Sequence, residues 1–274
     1  MNSRQELRQR ERGLRKRGEA VLKAGLPQTP VKDDMVAVAY VLARLLRDTA
    51  VPDRASRAAD AVHAMCEASR KRAPGAARLA CGKGCGYCCH GWVGASVPEA
   101  MLLARAIRSG KGAGESRVAG IVDRSIPLAG LNPSQRFGAK LPCPLLVDNI
   151  CSQYRERPTT CRQATSLDLS KCVEEFEGQG EGGEIPVSAV YLAHARNARV
   201  PLLAALRMAG LETHTYELSA AVSRLLVEPD AEMRWLGGAD VLVGIARGPR
   251  EPAAVEHAVS VIASEVGGLV AAAD

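Results

Sequence analysis

Aromatic residues are scarce in this 274-residue chain: two Phe, two Trp and five Tyr, 3% of the whole. Much of the other apolar content is Ala, Leu and Val, a mix that favours helix over strand. Uninterrupted apolar stretches of about 18 or more residues are also missing, so no membrane span is expected. The N-terminal stretch MNSRQELRQRERGLRKRGEA lacks the apolar run that follows the basic residues of a secretory signal. A cytoplasmic location is therefore expected, where cysteines stay reduced rather than forming a disulfide framework. Neither a glycine-rich nucleotide loop nor an internal repeat is visible.

What remains is an ordinary globular balance, 47% hydrophobic and 24% charged, which can bury a core without help from a metal. The formal net charge of +6 is unevenly placed: residues 1–30 hold eight Lys/Arg against three Glu, a local +5. Such an arm can attract phosphate backbones, but no aromatic residue interrupts it to stack a base. It reads as a solvated flexible or helical arm over 1–30, and nucleic acid is not the expected partner. Residues 31–274 read as a single helical domain.

Cysteine is the residue with chemical specificity. Of nine, four lie in CGKGCGYCCH: Cys81, Cys85, Cys88 and Cys89. Four more follow at Cys143, Cys151, Cys161 and Cys172, while Cys66 stands apart. Eight thiols in two sets are a ligand pattern for thiolate-loving metals, zinc or iron, including an iron–sulfur cluster. They fit two tetrahedral sites, one multinuclear centre, or one cluster with spare thiols. Adjacent side chains such as Cys88 and Cys89 diverge in helix or strand, which gives the two sulfurs different metal atoms or different shells. His90 is either a further ligand or a second-shell group. His63, His194, His214 and His257 are isolated and read as structural. The 53 residues between Cys89 and Cys143 include helix, so only folding can join the sets. Structural thiolate sites contribute about 10–16 kcal/mol of apparent binding energy, more than closing such a loop costs.

Around this centre the periodicity is helical. Apolar residues recur at helical spacing from Val31 to Thr49, and an alanine-rich stripe from Asp53 to Arg72 puts Cys66 on the core face. Pro27 and Pro30 in LPQTP separate the first of these from the arm. Gly82, Gly84 and Gly86 imply a tight knuckle at 81–86 rather than helix. Ser96 and Pro98 mark a helix start running to Ser109, followed by a GKGAG loop at 110–114 and a helix over 115–124. The stretch 141–158 reads as loop with a short hairpin turning at Asp148-Asn149. An acidic loop at 177–184, linker or lid, precedes helices over 187–209 with a break at Pro201, then 216–227, 230–236 and 252–272. The fold class is thus mainly α: helices flanking an irregular, metal-stapled cysteine-rich centre at 81–172.

The blocks CGKGCGYCCHGWVGASVPEA and CPLLVDNICSQYRERPTTCRQATSLDLSKC resemble the CxxCxxCC cysteine-cluster family (YkgJ-like), whose members are described as zinc- or iron-chelating. The Cys88–Cys89 pair, Cys143-Pro144 and the RPTTCR run from Arg157 to Arg162 carry the likeness. EPDAEMRWLGGAD is similar to a longer helical branch of the same family. Three residues separate Cys81 from Cys85 where the family name implies two, which leaves Cys81 less defined than its neighbours. The family includes flagellin lysine methylases thought to carry an iron–sulfur cluster.

Three functions follow as expectations. The first is a cytoplasmic metal-binding protein with a cysteine-rich zinc or iron centre. The second is an iron- or iron–sulfur-dependent enzyme of redox or methyl-transfer type, with Tyr154, Arg155, Arg157 and Arg162 holding an anionic substrate. The third is a zinc-stapled scaffold for a protein partner. In the first reading these arginines offset thiolate charge, together with Lys171.

Overall fold

The computed structural model describes residues 3–27, 29–72, 78–110, 114–178 and 184–271. Residues 111–113 of the GKGAG loop, 179–183 of the acidic loop and Gln28 of LPQTP lie outside the described residues. The chain is mainly helical, at 64%. In chain order the helices are α1 (Ser3–Ala24), α2 (Lys32–Arg47), α3 (Arg54–Lys71), α4 (Val97–Ser109), α5 (Glu115–Ser125) and α6 (Pro133–Gly138). Then follow α7 (Thr159–Gln163), α8 (Leu169–Glu177), α9 (Ala189–Met208), α10 (Leu218–Val227), α11 (Ala231–Leu236) and α12 (Ala253–Ala271).

The core follows from apolar spacing. α2 buries Val38, Leu42 and Leu46 on one side, and α3 buries Ala55, Ala58, Ala59, Val62, Met65 and Cys66. Small side chains along α3 let it pack closely on both α4 and α9. α9 is the central helix, touching α2, α3, α7 and α12, and α4 sits between α3 and α10. Cys66 is a core residue, and burial pushes its thiol up to about 11.

α9 overturns one expectation. Pro201 sits inside a continuous helix rather than breaking it. Its missing N–H costs about 3 kcal/mol in an isolated helix. Here Val200, Pro201, Leu202 and Leu203 are all buried, and that packing holds the helix through the defect. A second difference concerns α12. Averaged over Ala253–Val270 its hydropathy reaches 1.3, long and apolar enough to cross a bilayer, although no uninterrupted apolar run is present. Val259, Ile262, Val266 and Leu269 form its buried stripe, and the helix packs on α9 and α2.

Four short strands complete the architecture. β1 (Gly94–Ser96) pairs antiparallel with β4 (Thr215–Glu217), Ala95 opposite Tyr216. Three-residue strands paired across such a distance leave no alternation to read, and the sequence pattern missed them. β2 (Leu146–Val147) and β3 (Ile150–Cys151) form the foreseen hairpin. Its turn residues Asp148 and Asn149 have φ of 50° and 57°. Two left-handed residues match the twist of a two-residue hairpin, and Asp and Asn tolerate that region.

α1 is ordered over the basic segment and packs along α2 and α3. The approach is close at Gly18, where a Cβ would lie 2.3 Å from the Ala37 carbonyl oxygen. Gly18→Ala therefore lowers stability by about 1–3 kcal/mol through the forced separation of α1 from α2. Helix propensity alone predicts a gain of about 1 kcal/mol. Urea denaturation of the variant decides between them, and a stabilised variant would contradict the packing.

Candidate metal centre

The first cysteine stretch is irregular, as its glycines require. Gly84 has φ 88°, a left-handed turn between Cys81 and Cys85, and the Cys85 N–H donates to the Gly82 carbonyl at 3.2 Å. A 3-10 turn over Tyr87–His90 follows and carries Cys88 and Cys89. Both phenylalanines of this aromatic-poor chain meet here. The Phe176 ring on α8 lies 5.5 Å from Tyr87, 4.7 Å from His90 and 6.4 Å from Phe137 on α6. His90 also places Nδ1 3.1 Å from the Gly86 carbonyl. It packs on Phe176 and hydrogen-bonds the backbone beside the pair.

Folding brings the second stretch onto the first. The Cys143 N–H donates to the Cys89 carbonyl at 2.8 Å. At the other end, the Ala80 N–H donates to Ser166 O at 2.9 Å and the Ser166 N–H donates to Cys81 Sγ at 3.1 Å. Cys151 ends the hairpin, Cys161 sits on α7, and Cys172 on α8 places its thiol 3.6 Å from the Asp168 carbonyl.

The thiols feel one another. Cys81 and Cys85 interact with Cys88 and Cys172. Cys89 interacts with Cys88, Cys143 and Cys161, while Cys161 interacts with Cys143, Cys88 and Cys151. Cys88 and Cys89 occupy consecutive positions of the 3-10 turn. The neighbouring Cys89 thiol, as donor, lowers Cys88 to about 7, helped by the nearby Arg157 charge. Donation to Cys88, then burial, push Cys89 far up. Burial first, and like-charged neighbours next, raise Cys81, Cys85 and Cys161; burial raises Cys151, and Cys143 to about 11. Among the described residues, no three Cys, His, Asp or Glu side chains are gathered tightly enough to hold a metal ion as they stand. The donor chemistry, eight soft sulfurs around one patch, fits zinc or iron.

Two carboxylates that the sequence reading did not single out organise the surroundings. Glu67 on α3 accepts from Arg157 at 3.2 Å and from Arg162, and pairs with Arg70 at 3.3 Å. Arg162 also donates to the carbonyls of Arg155 and Arg157, and the Arg157 guanidinium lies 3.7 Å from the Tyr154 ring centroid. Both buried arginines thus spend part of their donor set on Glu67 and on backbone carbonyls. Arg157 still acts on Cys88, Cys151 and Cys161. Arg155 is exposed, and Lys171 pairs with Glu174 at 2.6 Å.

Glu99, fully enclosed, ties three elements together. Its Oε2 accepts from Ser96 N–H at 3.0 Å and from Ser96 Oγ at 2.7 Å. Its Oε1 accepts from Thr159 N–H at 2.7 Å and Thr159 Oγ1 at 2.9 Å, and lies 3.2 Å from His63 Nε2. Burial alone would raise this carboxyl, but His63 and the Thr159 and Ser96 donors hold it below the usual carboxylate range. Through Thr159 it anchors the start of α7, and hence Cys161, to α3 and α4. The Ser-x-x-Glu spacing of 96–99 was the available signal, since a helix start pairs these two residues. Glu67 carried no such mark.

Residues 80–177 match a model of the CxxCxxCC family, described as a "Putative zinc- or iron-chelating domain". The matched segment ends with the last residue of α8 and contains all eight clustered cysteines. No curated protein and no solved structure matches the chain. The match of this segment to a metal-chelating domain model supports a metal ion as its partner.

Removing Glu99 leaves His63 and the Thr159 and Ser96 donors buried without their acceptor. Glu99→Ala should cost about 3–5 kcal/mol at neutral pH. Because the folded-state carboxyl is depressed, its contribution is present above the ordinary carboxylate range and fades as pH falls through and below about 4. Urea melts of both proteins at pH 7 and pH 3.5 check this, and a gap that widens on acidification would contradict it.

Proposed function

We propose that residues 80–177 form a zinc- or iron-binding centre whose ligands come from both stretches: Cys81, Cys85, Cys88 and Cys89 with Cys143, Cys151, Cys161 and Cys172. The observation that carries the reading is the direct peptide contact between Cys89 and Cys143, around which the thiols of both sets interact. Chelation is the domain-level function that the family match supports. The adjacent Cys88–Cys89 pair and the count of eight clustered thiols favour more than one metal atom, as two ions or one cluster, over a single tetrahedral ion with four spare thiols. The setting proposed here is a reducing cytoplasm, in which such cysteines stay as thiols.

A bound metal supplies positive charge that lets clustered thiolates coexist and cross-links the loops carrying them. The chain's own groups supply the rest. The Phe176 cluster holds the 3-10 turn, Glu99 holds α7, Ser166 holds Cys81, and Arg157 tempers thiolate charge.

Protein purified without oxygen should retain zinc or iron in stoichiometric amount. Cys89→Ser and Cys143→Ser should each lower that content, whereas Cys66→Ser should leave it unchanged. Elemental analysis tests this, and equal loss from the Cys66 variant, or no metal in the native protein, would defeat the proposal. Because most of these thiols are raised, they are protonated near neutral pH and must release protons on binding. Apparent affinity should then fall between pH 8 and pH 6, about tenfold per pH unit for each proton displaced. Calorimetry in buffers of different ionisation enthalpy counts those protons, and a count near zero would contradict thiolate ligation.

A further inference from the structure

Two arginine pairs stand at matching spacing on two helices that pack together. Arg12 and Arg15 on α1, and Arg44 and Arg47 on α2, are each three residues apart, so each pair shares one face of its helix. All four line one cavity of about 860 Å³ between α1 and α2, within the size range of small-molecule sites. The cavity opens beside the close approach of the helices at Gly18, where an added Cβ would lie 2.7 Å from Val41, itself part of the wall. Tyr40, 5% exposed, and Leu45 supply apolar surface to the same wall.

Like charges at this spacing destabilise a helix, and the local carboxylates offset them only in part. Asp48 accepts from the Ala50 N–H at 3.1 Å and shapes the turn after α2. Glu19 reaches Arg15 only at 3.9 Å, with both side chains mostly exposed. Among the described residues, no hydrogen bond or ion pair engages Arg12. Counting Glu11, the wall holds four guanidiniums against three carboxylates, a surplus of one positive charge. Arg44 and Arg47 also complement the negative C-terminal end of α2. Arg12 and Arg15 lie in the middle of α1, where the helix dipole gives them no such role.

We propose that this cavity binds a small molecule through two adjacent phosphates, inorganic pyrophosphate or a diphosphate ester, held by the α1 pair and the α2 pair together. A guanidinium fork receives phosphate oxygens two at a time, and four forks on two helices suit one compact, multiply charged group. A singly charged anion has little to gain over the carboxylates already in the wall. Adjacent phosphates concentrate several negative charges and engage both pairs. The volume leaves room for an organic remainder against Tyr40 and Leu45. This site is separate from the chelation reading and stands or falls without it.

Calorimetric titration of the full-length chain with inorganic pyrophosphate and with ADP tests the site. Each should bind once per chain, more weakly as salt is raised. Arg12 is exposed, so its replacement leaves the core intact. Arg12→Gln should weaken binding about tenfold, and Arg12→Gln with Arg15→Gln about 100-fold. Neither change should lower the melting temperature or the metal content. Arg4→Gln with Arg8→Gln alters the same helix outside the cavity and should leave affinity within about twofold. Tighter binding of ADP supports an organic remainder seated in the cavity, and equal affinities support recognition of the phosphates alone. No saturable binding of either compound would overturn the proposal. So would unchanged affinity in the Arg12/Arg15 variant, or equal weakening by the Arg4/Arg8 variant, which reduces the attraction to the general charge of the basic segment.

Discussion

The hydrogen bond from the Cys143 N–H to the Cys89 carbonyl, 2.8 Å long, is the contact on which the cysteine patch depends. It joins two peptide segments separated by more than fifty residues and by three helices, α4, α5 and α6. Neither segment has enough regular structure to hold its own shape. Cys81–Cys85 is a turn with a left-handed glycine, and Cys143–Cys151 is a proline-flanked loop closing in a two-residue hairpin. Their mutual contact therefore has to be imposed from outside. Three devices do so: the aromatic cluster at Phe176, the Ser166 bonds to Ala80 and Cys81, and the Glu99 carboxylate under α7.

These devices are polar or aromatic in a chain built mostly from aliphatic residues. The helical frame of α2, α3, α4, α9 and α12 is stabilised by ordinary burial of Ala, Leu and Val. The cysteine side is organised instead by specific donors, acceptors and ring contacts. That division suits a frame that folds by itself and a patch whose charge needs a cation. Six clustered thiols are raised by burial, by a hydrogen-bonded neighbour or by nearby like charge, which is the signature of a site that wants protons or metal but not free thiolates.

Much of this was legible in the residues. Long amphipathic helices announced themselves by spacing, and α4 by Ser96 and Pro98; the hairpin was announced by Asp148-Asn149. The family likeness resided in residue types at short spacing, and those survive reading without a fold. What escaped was long-range or contextual. Pro201 looked like a break because local propensity ignores the packing on both sides of α9. The pairing of β1 with β4 joins three-residue segments more than a hundred residues apart. Glu67 has no sequence signature, since its role comes from what tertiary folding sets against it.

The central claim is that one metal centre draws sulfur from both stretches at once. Alkylation of the cysteines followed by mass spectrometry, with and without stoichiometric zinc or iron under anaerobic conditions, tests it most directly. The account predicts that cysteines within 81–89 and within 143–172 become protected together, at the same metal-to-protein ratio, while Cys66 reacts identically in both states. Protection confined to one stretch, or two stretches protected at separate ratios, would contradict it.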